Sequence, residues 1–210
     1  MPKITRIKLQ KSFIGQQKRA NIFVDGKFLL GLPIEVVAKE DLGVGKEISS
    51  KEIKDLAFDN EYHRFLDAAY NLLSRRPRSK AEIEKYLHGK HASEKASQKI
   101  LKKLEAENYL NDEAFARWWL GQRQTFRQKG KLALKAELRQ KGVEEGVIRQ
   151  VLEEEVDEVA LATLAVQKKM AVLKKLPARD FHQKAFGFLA RKGFSFETIK
   201  MVLDEIEKKR

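Results

Sequence analysis

The chain has 210 residues, 42% of them hydrophobic and 35% charged, with a net charge of +13 and no cysteine. No apolar run approaches the ~20 residues that span a bilayer, the start Met1-Pro2-Lys3-Ile4-Thr5-Arg6 has no apolar core of signal-peptide length, and disulfides, thiol nucleophiles and thiolate metal sites are excluded, which fits a reducing cytoplasm. A basic balance of this size points to a polyanionic partner, with mere solubility as the bland account.

Residues 1–32 read as strands. Ile4 to Leu9 alternates with period two. The apolar runs 21–24 and 27–30 flank Asp25-Gly26, a strong hairpin signal because a type I′ turn needs positive φ at both central residues. A helix pattern follows Gly31-Leu32-Pro33 to about Leu42, and Gly43-Val44-Gly45 breaks it. Ser49 with Glu52 offers a capping box for a helix to about Phe58. Residues 1–58 thus form a small β-hairpin/α module. Its size is marginal for independent stability, so it is expected to pack on the helices after it or to stay partly mobile.

From Glu61 onward the chain reads as helix in three triplets. In the first, Phe65, Ala68, Ala69, Leu72 and Leu73 make one apolar stripe. Arg75-Arg76-Pro77-Arg78 ends that helix, and the next buries Ile83 and Leu87. The third helix carries Ile100, Leu101 and Leu104. The second triplet runs 111–127, 131–141 and 143–155, and the third 159–175, 178–192 and 194–208.

The triplets repeat. Leu87, Leu138 and Leu189 stand at steps of 51, as do Ile83, Leu134 and Ala185, and Lys90, Lys141 and Lys192. Ile148 and Ile199 keep the step, and so do Val151 and Val202. Such a period marks stacked supersecondary units that bury their apolar faces on one another. The fold expected is mainly α: three tandem three-helix repeats in an elongated curved array, 59–110, 111–157 and 158–210, after the module at 1–58. An array of this kind can cap its own ends, so a monomer is expected. Lys141-Gly142 and Lys192-Gly193 read as glycine C-caps with core leucines before them.

Charge is unevenly spread. Residues 115–141 hold eight basic residues and one acid, Glu137, whereas 144–157 hold six acids and one base, Arg149. Arg75, Arg76 and Arg78, with Lys80, sit at a helix junction where they can grip phosphate or carboxylate. The alternative is complementation of a helix dipole, worth ~0.3–1 kcal/mol. Arg123, Arg127, Lys131, Lys135 and Arg139 recur every four residues across a break near Gly130, either as a contact surface or as a solvated face. Trp118, Trp119 and Phe126 lie among them and can stack on bases or serve as core. His88 and His91 lack an acid or cysteine partner for a metal. Gly43-Val44-Gly45 is no phosphate loop. No nucleophile–base pair is legible. The reading is a binding protein with neither catalytic residues nor cofactor.

Three stretches then resemble one family. They are Arg76-Pro77-Arg78-Ser79 with Glu82-Ile83 and Tyr86-Leu87; Tyr109-Leu110-Asn111-Asp112-Glu113 with Phe115-Ala116; and Gly130 with Leu134, Glu137-Leu138-Arg139 and Lys141-Gly142-Val143. Together with Arg191-Lys192-Gly193-Phe194 and Ile199 they resemble the bacterial RecX regulatory proteins over residues 61–208. The resemblance implies three tandem three-helix repeats. It also implies binding of the RecA recombinase filament in its groove, with reduced ATP hydrolysis, filament extension and strand exchange. Direct contact with single-stranded DNA is a further implication. Arg75, Arg76, Arg78, Arg123, Arg127, Lys131, Lys135 and Arg139 are charge-based candidates for the contact and are not carried over from the family. Two departures stand out. The first repeat carries about three extra residues between its second and third helices, Leu87 to Ile100 being 13 positions and Leu138 to Ile148 being 10. The N-terminal module resembles the extension of longer members.

Overall fold

The computed structural model describes residues 1–10, 18–173 and 175–208. Three strands, β1 (Ile4–Leu9), β2 (Arg19–Val24) and β3 (Lys27–Pro33), are followed by α1 (Ile34–Lys39), α2 (Ser50–Leu73), α3 (Lys80–Gly89) and α4 (Glu94–Ala106). The remaining helices are α5 (Asp112–Phe126), α6 (Lys131–Gln140), α7 (Glu145–Glu155), α8 (Glu158–Gln167), α9 (Met170–Leu173), α10 (Ala178–Arg191) and α11 (Phe196–Lys208). The fold is mainly α with a small antiparallel sheet in the order β1-β2-β3. The chain clusters into two compact units, 1–72 with 87–102, and 73–86 with 103–210.

In the first unit, the β2–β3 turn holds Asp25 at φ 48 and Gly26 at φ 77, the pair of positive values expected of the hairpin. Residues 11–17, part of the stretch read as strands, lie outside the described residues. Ile4, Ile22, Leu30 and Leu32 from the sheet pack with Leu42, Ile48 and Leu56. The capping box forms: Ser49 N–H donates to Glu52 Oε2 at 2.7 Å and Glu52 N–H to Ser49 Oγ at 3.2 Å. The helix it starts does not end near Phe58. It runs on to Leu73, because Asp59-Asn60 contains no glycine or proline and the buried series Tyr62, Phe65, Leu66, Ala69 continues the apolar stripe. The boundary expected at 58/59 therefore falls inside one helix. Ser93, at the start of α4, donates from N–H and Oγ to the Glu61 carboxylate, both at 2.7 Å.

In the second unit one core joins α5 to α11. Leu134, Leu138, Ile148, Val151, Ala185 and Leu189 are fully buried, and Ile199 and Val202 nearly so. These are the positions the 51-residue step singles out. Burying each of the leucines, isoleucines and valines among them stabilises by about 1.5–3 kcal/mol. Asn111 and Asp157 open their triplets as helix N-caps, accepting from Ala114 N–H at 2.9 Å and Ala160 N–H at 3.0 Å. The helix expected over 159–175 is interrupted at Lys168-Lys169, giving α8 and the short α9. Glu158 joins three elements: it accepts from Lys131 N–H at 2.7 Å and from the hydroxyls of Ser195 and Thr198 at 3.0 and 2.8 Å.

Candidate functional site

The Lys-Gly pairs do more than stop helices. Gly142 has φ +75, and a β-carbon on it would lie 2.3 Å from the Ala81 β-carbon, so α6 ends directly on the first turn of α3. Ser79 Oγ donates to the Lys141 carbonyl at this joint. Fifty-one residues on, Lys192-Gly193 at the end of α10 docks on the first turn of α6 in the same way. There Gly130 N–H donates to the Lys192 carbonyl at 3.0 Å and Leu132 N–H to the Gly193 carbonyl at 3.1 Å. Both joints lie within the second unit.

A basic segment precedes each receiving helix. Arg76, Arg78, Ser79 and Lys80 at the first joint stand one step of 51 before Arg127, Lys129, Gly130 and Lys131 at the second. At the first joint, Arg76 grips both oxygens of Glu82, at 2.9 and 3.0 Å, and Lys141 Nζ reaches Glu82 Oε1 at 2.8 Å. Burial would raise the Glu82 pKa, but the hydrogen bonds from Arg76 and Lys141 outweigh it and hold the carboxyl at about 2.

Trp119 links this cluster to the next. Lys141 Nζ lies 4.9 Å from its ring centroid and the Arg123 guanidinium 4.2 Å. The indole N–H donates to Glu137 Oε2 at 2.8 Å, an oxygen that also takes Arg123 Nε at 2.7 Å, while Lys129 pairs with the other oxygen. Glu137 is consequently lowered in pKa against the opposing effect of its burial. The half-buried Trp118 packs beside Phe115 on the core, ring centroids 6.0 Å apart.

The other candidate cations divide by partner. Lys135 and Arg139 share Glu145, with Arg139 Nε at 2.7 Å, and hold that exposed carboxylate at about 2. Arg78 is half-buried beside Arg76. Arg75 and Arg127 are exposed and Lys131 is half-buried, and none of the three forms an ion pair among the described residues. The run of four-residue spacings is not one stripe, because α5 stops at Phe126 and Arg127 leaves helical geometry with φ −145. The charge asymmetry of the middle triplet is largely settled inside the molecule: Arg117 meets Glu113, Glu154 and Glu155, and Lys135 and Arg139 meet Glu145. Lys129, Lys168, Lys169 and Lys192, which the pattern of charge alone does not single out as contacts, gather at the second joint. The step relating 76–80 to 127–131, and Lys141 to Lys192, is the signal that could have found them. Among the described residues no group of three or more His, Cys, Asp or Glu side chains could hold a metal, and no helix is long and apolar enough to cross a membrane.

Four family models match this chain in register with its elements. They are the regulatory protein RecX N-terminal domain over 2–49 and the first, second and third RecX three-helix domains over 66–104, 111–152 and 155–203. Regulatory protein RecX of Bacillus pumilus is 35% identical over 207 residues, covering 98% of this chain and 78% of that protein. The Bacillus subtilis counterpart is 33% identical over 209 residues, covering 99% and 78%. A crystal structure of regulatory protein RecX superposes with a TM-score of 0.72 at 28% identity, covering 97% of this chain and all of that one. RecX from Lactobacillus salivarius shares the fold, with a TM-score of 0.66 at 23% identity over 71% of this chain and 98% of that one.

Proposed function

The chain belongs to the RecX family of regulatory proteins, and from that premise we propose that it binds the RecA recombinase filament in its groove and lowers its ATPase, extension and strand exchange, so regulating recombinational repair. The observation that carries this reading is the pair of joints: two basic segments presented at a fixed structural repeat suit a partner that itself repeats. A RecA–DNA filament is such a partner, and it is polyanionic. The action is differential affinity. A protein that holds successive protomers can shift a filament only by binding one of its states better than another. In this reading the protein is a non-enzymatic, monomeric, cytoplasmic regulator whose N-terminal module runs into the first repeat through α2, with the second and third repeats at 111–157 and 158–210, and its contact draws on the cations of 75–78 and 123–139.

The test is a titration of the cognate RecA ATPase on single-stranded DNA. A fall at sub-stoichiometric amounts is expected, because a filament is controlled at its growing end or at sparse sites along it. An ATPase and strand exchange left untouched at stoichiometric amounts overturn the proposal. The surplus of lysines at the second joint favours one rival, a stand-alone nucleic-acid-binding protein. That rival requires tight binding of bare DNA with a salt slope of roughly −0.7 to −0.9 per phosphate contacted.

A further inference from the structure

The two joints have the same plan but different charge balance. At the first, a single carboxylate, Glu82, takes both Arg76 and Lys141. One step of 51 residues on, the corresponding positions are Arg127, Lys192 and Ala133. The cations are kept and the carboxylate is gone.

What replaces it is neutral. Lys192 Nζ donates to the backbone carbonyl of Gln128 at 2.7 Å, and Lys168 Nζ to Gln128 Oε1 at 3.0 Å. Gln128 is 6% exposed, and its amide is held by the carbonyls of Gln124 and Thr125 at 3.0 and 3.4 Å. It is therefore a fixed acceptor that gathers two ammonium groups without neutralising either. Lys129 comes directly after it in the chain. Lys169 and Lys192 lie 5.9 and 5.5 Å from the centroid of the Phe188 ring. Among the described residues, the one carboxylate bonded into the group is Glu137, through Lys129, and it is already shared with Arg123 and Trp119. Burial first, and then repulsion from Lys129, Lys168 and Lys169, weakens the hold of Lys192 on its proton.

Convergent like charges are unfavourable unless a counter-charge arrives from outside. Helix dipoles account for part of the pattern, since Lys168 and Lys192 cap α8 and α10. A dipole contributes only ~0.3–1 kcal/mol. It does not explain why the cations of the second joint lack the carboxylate that their counterparts share.

We propose that Lys129, Lys168, Lys169 and Lys192, with Arg127 beside them in the chain, form a binding site for a phosphoryl oxyanion, which takes the place that Glu82 fills at the first joint. A phosphoryl group offers several acceptor oxygens to several ammonium donors, whereas one carboxylate would leave most of the charge uncompensated. The source is a nucleic-acid backbone or a free oligophosphate. The site does not depend on the recombinase reading.

Calorimetric titration of the full chain with inorganic tripolyphosphate tests this. Saturable binding is expected. Lys168→Gln/Lys169→Gln, at two exposed positions, is expected to weaken it by about tenfold, while Lys51→Gln/Lys54→Gln on α2 leaves it unchanged. Ala133→Glu, which returns a carboxylate to the joint, is expected to weaken it likewise. A single-stranded oligonucleotide that competes, and loses affinity in the same variants, identifies a backbone phosphate. An oligonucleotide that fails to compete identifies a free oligophosphate, and the site stands in either case. Equal loss in the α2 control, or unchanged binding in both joint variants, overturns the proposal by making the attraction diffuse. Binding of polyglutamate but not tripolyphosphate, lost in Lys168→Gln/Lys169→Gln, also overturns it by assigning the site to a protein carboxylate.

Discussion

Gly193 stands against Ala133 with no room for a side chain: a β-carbon on it would come within 2.5 Å of both the Ala133 β-carbon and the Ala133 backbone nitrogen. Its φ of +79 is itself a conformation that other residues adopt only with strain. Gly193→Ala is therefore expected to destabilise the chain by about 2–4 kcal/mol, combining backbone strain with overpacking. Gly142→Ala, whose β-carbon would fall 2.3 Å from that of Ala81, should cost a similar amount. Urea unfolding measures both. A loss below about 1 kcal/mol, the size of a simple C-cap effect, would show that the glycines only end helices and that the joints yield without cost.

Glu82 makes stability depend on acid. Its ordinary pKa of 4.5 falls to about 2 in the folded chain, so folding holds the carboxyl in its charged form. The contribution is full above the unfolded value and is lost as pH falls through the folded one. Glu82→Gln is expected to cost about 1.5–3 kcal/mol at neutral pH, the scale of a hydrogen bond to a charged group. The gap between parent and variant should close as pH falls from 4.5 to about 2. Unfolding curves at several pH values decide it. A gap that stays constant across that window would mean that Glu82 acts by packing and not by charge.

The candidate cations should separate into two classes. Reversing Arg75, Arg127 and Lys131 to Glu breaks no ion pair among the described residues, so the thermal midpoint should move by only a few degrees. If the proposed function holds, this triple variant loses inhibition of the RecA ATPase. Reversing Arg123, Lys135 and Arg139 instead strips Glu145 of both its cations and leaves Glu137 with Lys129 and the Trp119 N–H alone, and is expected to lower the midpoint whatever happens to activity. Full inhibition by the first variant would move the contact to another face.

Much of the architecture was legible because it is written locally. The Asp25-Gly26 turn and the Ser49–Glu52 capping box each involve groups within a few residues of one another. The 51-residue step picks out Leu87, Leu138 and Leu189, all fully buried. The helix expected to stop near Phe58 runs on because the hydrophobic stripe behind it outweighs two polar residues.

By itself, then, the sequence determined the helical repeat, the core positions and the basic character, since periodicity and turn chemistry act over one or two turns of chain. Only the tertiary structure decided which charges are compensated. Lys141 finds Glu82 across 59 positions, and Lys192 finds the Gln128 carbonyl across 64. Two lysines at the same step in the repeat thus meet opposite electrostatic fates. Coulomb interactions depend on distance in space, and docking each Lys-Gly end on the preceding repeat sets that distance.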